Sequence, residues 1–489
     1  MAAGRHSQKG HATLSASMPT ALSSAAGHDR RHWWPLAGLV AVLAGLLVWQ
    51  SGLLDGSPRS SALETRAMVS GLPSLIESAI ARTDPAAQQA SVIDRAGLQL
   101  HRLTGDHIDE LTPLMGAAEA RLIDIYQHIG RGEHRQALRL AEQLVAQHPN
   151  YQLAQLVLGD LLSLQVRPVS RLGDVPDTKA AAAMEQLDAL REESRRRLRA
   201  LTERPPEGSI PAQFLALAPQ SRHAIAVDAS RSRLYLFENQ GNLDGTGTPR
   251  MRLLGDFYIS VGLSGIDKEV EGDRRTPLGV YYITSNLDPR RLPDLYGAGA
   301  LPINYPNPLD LQRGKTGSGI WLHGTPSEQF VRAPLASDGC VVLSNPDLER
   351  LLRTVQIRTT PVVIAEALQW VSADALSTRR ASFESALESW RIARSEADTE
   401  RLREFYSSRF RAQGRDLTDW WARAERDLLA RGARDLELKD LSILNWQDAD
   451  NTMVVTFGEV PRGSSRGVTR RQYWILEQDG WKIFHEGNA

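Results

Sequence analysis

The sequence predicts a multidomain α+β chain, and three observations predict it. An uncharged apolar run from Trp33 to Leu54 comes first, followed by a long stretch of helical periodicity. The break Pro205-Pro206-Glu207-Gly208 then ends that periodicity, and short strand-like segments take over. Beyond residue 380, amphipathic helices precede four further strand-like segments. The expected organisation is a polar leader over 1–32, a transmembrane helix over 33–54, a helical region over 62–204, a mixed-β block over 214–366 and an α+β cone over 380–487. A chain of 489 residues has room for these parts, and its net charge of −1 argues against a nucleic-acid partner, which calls for a basic excess or a basic face.

The leader carries Arg5, Lys9, Arg30 and Arg31 against one acid, Asp29, and is too polar to form a core. Trp33 to Leu54 is long enough as a helix to cross about 30 Å of hydrocarbon, with Trp33, Trp34 and Trp49 placed as interfacial anchors. Positive residues ahead of it keep the N-terminus inside, so the expectation is a single-pass inner-membrane protein whose remaining chain lies in the periplasm. A cleaved signal peptide is the competing reading; the long leader and the lack of an Ala-x-Ala site favour an uncleaved anchor. The chain has a single cysteine, Cys340, and an unpaired thiol in an oxidising compartment is a liability unless it has a task.

Residues 62–165 read as helices. Leu122, Ile125, Tyr126 and Ile129, then Gly130 to Gly132, then Ala137, Leu140, Ala141, Leu144 and Val145, then Pro149, give helix–turn–helix spacing that resembles a tetratricopeptide unit. Such arrays need about three repeats and roughly one and a half are visible, so a plain helical bundle stays open beside it. Either form suits spacing or contact with a protein partner. Residues 178–204 read as a charged helix in which Arg191, Arg195, Arg196, Arg197 and Arg199 face solvent, balanced by Glu185, Glu192, Glu193 and Glu203.

In the mixed-β block, His223 to Asp228 and Arg233 to Phe237 flank a four-residue turn as a hairpin, and Leu253–Val261 and Val280–Thr284 add two strands. Residues 286–318 are dense in Pro and Gly, a length of loop that suggests a lid or binding wall. They lead to Gly319-Ile320-Trp321-Leu322-His323, which delivers His323 at a strand end. Cys340 follows inside a small-residue turn. A neutral thiol is a poor nucleophile, and an imidazole that takes its proton supplies both a base and a stabilising cation. Gly339 allows close approach of the backbone, so that the Gly339 and Cys340 amides would bind one oxyanion.

The apolar segment ending in His323-Gly324-Thr325, then Ser337-Asp338-Gly339-Cys340-Val341, then Asn345-Pro346-Asp347 opening a helix at Leu348–Leu352, resembles the L,D-transpeptidase (YkuD) family. Arg275-Thr276-Pro277-Leu278-Gly279 upstream looks like that family's strand entry, and the resemblance covers about residues 222–366. It implies a mixed-β catalytic fold and acyl transfer on peptidoglycan stem peptides, with Cys340 as nucleophile and His323 as base. Under it, Trp321, Gly324 and Thr325 line the cleft, Ser337 fixes the turn, and Arg332 meets a substrate carboxylate. Two positions depart from the family pattern: Asp338 stands for the usual His before the glycine, and Val342 for the usual Arg after the cysteine. Asp338 adds negative charge beside the nucleophile and tends to raise its pKa unless it pairs with a cation such as Arg332. The acyl acceptor stays open between an amine and water, and a non-catalytic wall-binding scaffold is the reading from a different class.

Phe383–Gln413 and Leu417–Ala430 read as helices, and Asp435–Trp446, Thr452–Val460, Thr469–Glu477 and Gly480–His485 as strands. That order and the Tyr473-Trp474 and Gly480-Trp481-Lys482 ending resemble the NTF2-like cone, the companion of this catalytic block in cell-shape L,D-carboxypeptidases. With no acid/base constellation of its own, it is expected to bind or dimerise. No metal or nucleotide motif is present, and no cofactor is expected.

Overall fold

The computed structural model describes residues 114–174, 183–241 and 250–489. The leader, the Trp33–Leu54 anchor and the helical reading of residues 62–113 lie outside them. Among the described residues, no helix is long and apolar enough to cross a membrane.

The helical region supplies α1 (Ala117–Gly130), α2 (His134–Gln147), α3 (Gln152–Ser163) and α4 (Met184–Thr202). Gly132 at φ 74° lets the chain turn between α1 and α2, where the sequence placed its glycine signal. Leu122, Ile125, Ile129, Ala137, Ala141 and Leu144 are buried together, as their spacing requires.

The solvated reading of α4 holds for Arg195, Arg199, Glu185 and Glu203 and is corrected for Arg197 and Glu193. Arg197 is 2% exposed and Glu193 1%. Arg197 lies 2.7 Å from Glu193 and 2.8 Å from Glu119 of α1. Arg233, on the catalytic sheet, reaches the same Glu119 at 2.8 Å and Asp256 at 2.6 Å. Charges taken out of water persist only when paired, and here the pairing fastens α1 and α4 to the sheet. Arg197→Met, which strips the partner from Glu193 and one partner from Glu119, is expected to cost about 3–5 kcal/mol, read as a lower denaturant midpoint at unchanged slope.

The mixed-β block is built on a five-stranded sheet whose edge strands are Met251–Tyr258 and Gly279–Tyr282. Its strands are β3 (His223–Asp228), β4 (Arg233–Asn239), β5 (Met251–Tyr258), β7 (Gly279–Tyr282) and β12 (Pro361–Ala365). β3 and β4 pair antiparallel, the expected hairpin, and β12 runs parallel to β3. A three-stranded sheet with Trp321–His323 as its central strand holds His323, and Cys340 directly precedes one of its edge strands. It joins β8 (Ala300–Pro302), β9 (Trp321–His323) and β11 (Val341–Val342). Beside it, β6 (Val261–Gly262) pairs parallel with β10 (Leu335–Ser337). The Pro/Gly-dense stretch has secondary structure of its own. It contains β8 and the short α5 (Pro308–Gln312), whose Asn307 and Asp310 form a reciprocal cap. α6 (Asn345–Thr354) opens where expected, with Ser344 as its N-cap.

In the C-terminal region the long helix over Phe383–Gln413 is corrected. α7 (Ala373–Glu396) begins earlier and stops where Ala397 turns left-handed at φ 57°. Asp398 then caps α8 (Thr399–Arg403), and β14 (Arg411–Ala412) and β15 (Arg415–Asp416) follow as a hairpin. α9 (Leu417–Arg431) packs over an antiparallel sheet of β16 (Leu436–Gln447), β17 (Asn451–Pro461), β18 (Val468–Glu477) and β19 (Gly480–Asn488). Its fifth strand is β2 (Phe214–Ala216), paired with β16. The expected start of the mixed-β block at residue 214 is corrected, because Phe214 pairs with Leu444 in the C-terminal sheet. Phe214, Tyr235, Val280, Leu444 and Tyr473 share one buried cluster, so the two sheets have a core in common.

Candidate active site

β9 and β11 run parallel with Leu322 opposite Val341 and His323 opposite Val342. Side chains alternate across a strand, so Leu322 and Val341 enter the core while His323 turns to the other side. The same alternation, carried one register step back, sets Cys340 beside Trp321 and on the His323 side. His323 ends β9 and Cys340 immediately precedes β11, so the alternation carried through that register brings the two expected catalytic residues to one face.

His323 is buried, and its Nδ1 lies 2.7 Å from the Gly324 carbonyl oxygen. A carbonyl only accepts, so Nδ1 carries the proton and Nε2 keeps its lone pair. Burial lowers the His323 pKa to about 4; the Gly324 bond opposes this and the charge of Arg332 adds to it. The imidazole is therefore a neutral base at physiological pH. The Cys340 thiol is half-buried and donates to the Gly319 carbonyl at 3.5 Å. Burial pushes its pKa up. The Trp321 amide, Arg332 and Lys268 pull it back, and Asp338 adds to the rise. The resting pair is thus thiol and imidazole rather than thiolate and imidazolium.

The nucleophile turn is held from within. Ser337 Oγ donates to the Cys340 carbonyl at 2.6 Å and accepts from the Gly339 N–H at 3.1 Å. The Gly339 amide, one of the two expected oxyanion donors, is thus bonded to Ser337. Gly339 itself is required: φ is 122°, and a Cβ there would stand 2.7 Å from the Arg275 carbonyl oxygen.

Thr276, absent from the expected site, fixes this turn from below. Its hydroxyl donates to the Gly339 carbonyl and accepts from the Gly262 N–H, both at 2.9 Å, and the residue is fully buried. Thr276→Val would leave two buried backbone groups unpaired at about 1–3 kcal/mol each, whereas Thr276→Ser should restore most of the loss; denaturant unfolding of both variants checks this.

Of the other expected residues, Trp321 and Arg332 are half-buried and Asp338 is exposed. Tyr296 packs against Trp321 at 4.7 Å and edge-on to His323 at 5.1 Å between ring centroids. Gly324 and Thr325 do not line a cleft. The Gly324 N–H donates to the Tyr296 carbonyl, and Thr325, fully buried, donates to the Phe330 carbonyl at 3.2 Å. Asn345 accepts from the Ala298 and Thr325 amides and donates to the Thr325 carbonyl, tying the loop after His323 to the Tyr296 segment. Thr276 and Asn345 sit inside the motifs quoted above, which is the one signal that would have singled them out; Tyr296 had none.

Residues 222–364 match the model of the YkuD L,D-transpeptidase catalytic domain, and residues 382–487 that of the Cds6 C-terminal NTF2-like domain. No curated protein matches the chain. Among solved structures it is similar to Bd1075 of Bdellovibrio bacteriovorus, with 27% identity over 57% of this chain and 98% of that one at a TM-score of 0.48. It is also similar to the helical cell shape determining protein Pgp2 from Campylobacter jejuni, with 23% identity over 57% of this chain and 95% of that one at a TM-score of 0.45. An L,D-transpeptidase from Mycobacterium smegmatis aligns at 14% identity over 29% of this chain and 58% of that one, with a TM-score of 0.18.

Proposed function

We propose, from the premise that this chain carries an L,D-transpeptidase catalytic domain joined to a Cds6-type NTF2-like domain, that it is a cysteine-dependent peptidoglycan L,D-transpeptidase in cell-wall remodelling. The observation that carries the reading is the shared face of β9 and β11, where a tautomerically fixed His323 stands on the side of Cys340. The anchor before residue 55 would hold the enzyme in the inner membrane with this site in the periplasm, where stem peptides are found.

In the proposed reaction the Cys340 S–H swings from the Gly319 carbonyl toward His323 Nε2. The sulfur attacks the carbonyl that precedes a terminal D-alanine as the imidazole takes the proton. The Cys340 amide holds the oxyanion. Collapse breaks the C–N bond, His323 returns the proton to the departing D-alanine amine, and a thioester remains. An acceptor amine, deprotonated by the same imidazole, then forms the new amide and frees the thiol. Acid–base assistance is worth on the order of 10²–10⁴ in rate and one well-placed oxyanion donor about 10²–10³.

Incubating the purified full-length chain with tetrapeptide muropeptides tests this reading. A 3→3 linked dimer with free D-alanine supports transfer. Tripeptide monomer alone assigns water as the acceptor and makes the protein an L,D-carboxypeptidase. No D-alanine release at all would leave a wall-binding scaffold.

A further inference from the structure

Between the end of β9 at His323 and the start of β10 at Leu335 the chain runs out as a loop, and its tip leaves the mixed-β block. Phe330 is buried in the core of the helical region, with ring centroids 4.6 Å from Tyr151 and 4.7 Å from His148, and Val331 packs against the same core. The Phe330 N–H donates to the Asn150 carbonyl at 3.2 Å, and Asn150 Nδ2 donates to the Ser327 carbonyl at 3.0 Å. A surface loop is ordinarily among the more mobile parts of a chain; the turn between α2 and α3 grips this one at its tip.

That grip reaches the expected base. The Phe330 carbonyl accepts from the Thr325 hydroxyl at 3.2 Å, and Thr325 is fully buried. Thr325 follows Gly324, whose carbonyl holds the Nδ1 proton of His323 at 2.7 Å. A second route leaves the loop at Ser327, whose N–H and hydroxyl both donate to Asp294 Oδ2 at 3.1 Å. Asp294 opens the short 3-10 turn that ends at Tyr296, and the Tyr296 ring stands 5.1 Å from the imidazole. Both routes end on one ring. Asn345 of α6 holds the two backbone groups of Thr325, and Phe330 holds its side chain. Orientation matters here, because a displacement of about 1 Å at a reacting group costs on the order of 10² in rate.

We propose that the helical region is a working part of the active site, and that Phe330, seated between Tyr151 and His148, is a positioning residue that holds His323 in its buried orientation through Thr325 and Gly324. The proposal rests on the reading of His323 as the base and gives the helical region a task inside this chain. Among the described residues, the titratable and charged groups that bear on the ring are Cys340 on the same face, Tyr296 against it and Arg332 on the loop. None belongs to the helical region, so a change at Phe330 arrives through the loop.

The experiment is a pH titration of the imidazole in the full-length chain by carbon NMR of histidine Cε1, with the His323 signal assigned by its absence from His323→Gln. In the unsubstituted chain it should titrate near pH 4. Burial outweighs the Gly324 bond in setting that value, so loosening the ring raises it. Phe330→Ala should bring the midpoint up toward the ordinary 6.5 and cut turnover about tenfold or more, with KM changed by less than about twofold. Phe330→Leu, which keeps an apolar plug, should restore most of both. Thr325→Val cuts the bond to the Phe330 carbonyl while the plug stays seated; it should move the midpoint the same way, and it decides the matter if Phe330→Ala does not fold. Leu161→Ala, buried in the same core at the far end of α3, should lower the denaturant midpoint and leave the titration in place. An unmoved titration in Thr325→Val, or an equal movement in Leu161→Ala, overturns the positioning role. D-alanine release is read in parallel. Its absence from the unsubstituted chain, with the titration moving as described, removes the enzymatic reading and keeps the positioned imidazole, whereas release with an unmoved titration removes the positioning role alone.

Discussion

Cys340→Ala is expected to bring D-alanine release from tetrapeptide down to background and to abolish any thioester adduct visible by mass spectrometry. No other thiol exists in the chain to replace it, so the loss should be complete rather than graded. The half-buried sulfur also sets how the unsubstituted protein responds to a neutral alkylating agent. Because burial raises its pKa, the thiolate is a minor form near neutrality. Labelling by iodoacetamide should therefore climb about tenfold per pH unit between roughly pH 6 and 8. A plateau below pH 7 would mean a preformed thiolate, and residual turnover by Cys340→Ala would end its assignment as nucleophile.

His323→Ala is the second large effect, a fall of about 10²–10⁴ in turnover, the usual worth of a positioned acid–base group. The pH profile of the unsubstituted chain gives an independent reading. Burial lowers the His323 pKa to about 4 from the ordinary 6.5, so the base form persists until the pH drops toward 4. The acid limb of the rate profile should accordingly lie near pH 4. A limb centred at 6.5 would show an imidazole in water, free of the Gly324 carbonyl and out of the buried position that β9 gives it.

Much of this site was legible because its signals are local. Alternation and turn residues place the β3–β4 hairpin, and the Ser-Asn-Pro sequence opens α6 where its cap and proline require. His323 at a strand end and Cys340 after a left-handed glycine follow from a few neighbouring residues each. The failures come from partners far away in the chain. Arg197 sits in a run that looks solvated, and only Glu119 and the sheet-borne cluster around Arg233 explain why it is buried. Ser337 consumes the Gly339 amide through a turn geometry that residue types alone do not fix. Thr276 reaches Gly339 across a separation of 63 positions, which no periodicity reports. Likewise the break at Ala397 depends on one left-handed residue and on Asp398, inside a sequence otherwise suited to continue the helix.

The edge strand Phe214–Ala216 leaves the chain before the catalytic sheet begins and finishes the sheet at the far C-terminal end. Inheritance is constrained by that loan. A recombination that swapped the tail for an unrelated module would uncover the side of Phe214 that faces Leu444 and Tyr473 while Phe237 still covers the other, so each half carries an apolar seam shaped by its companion.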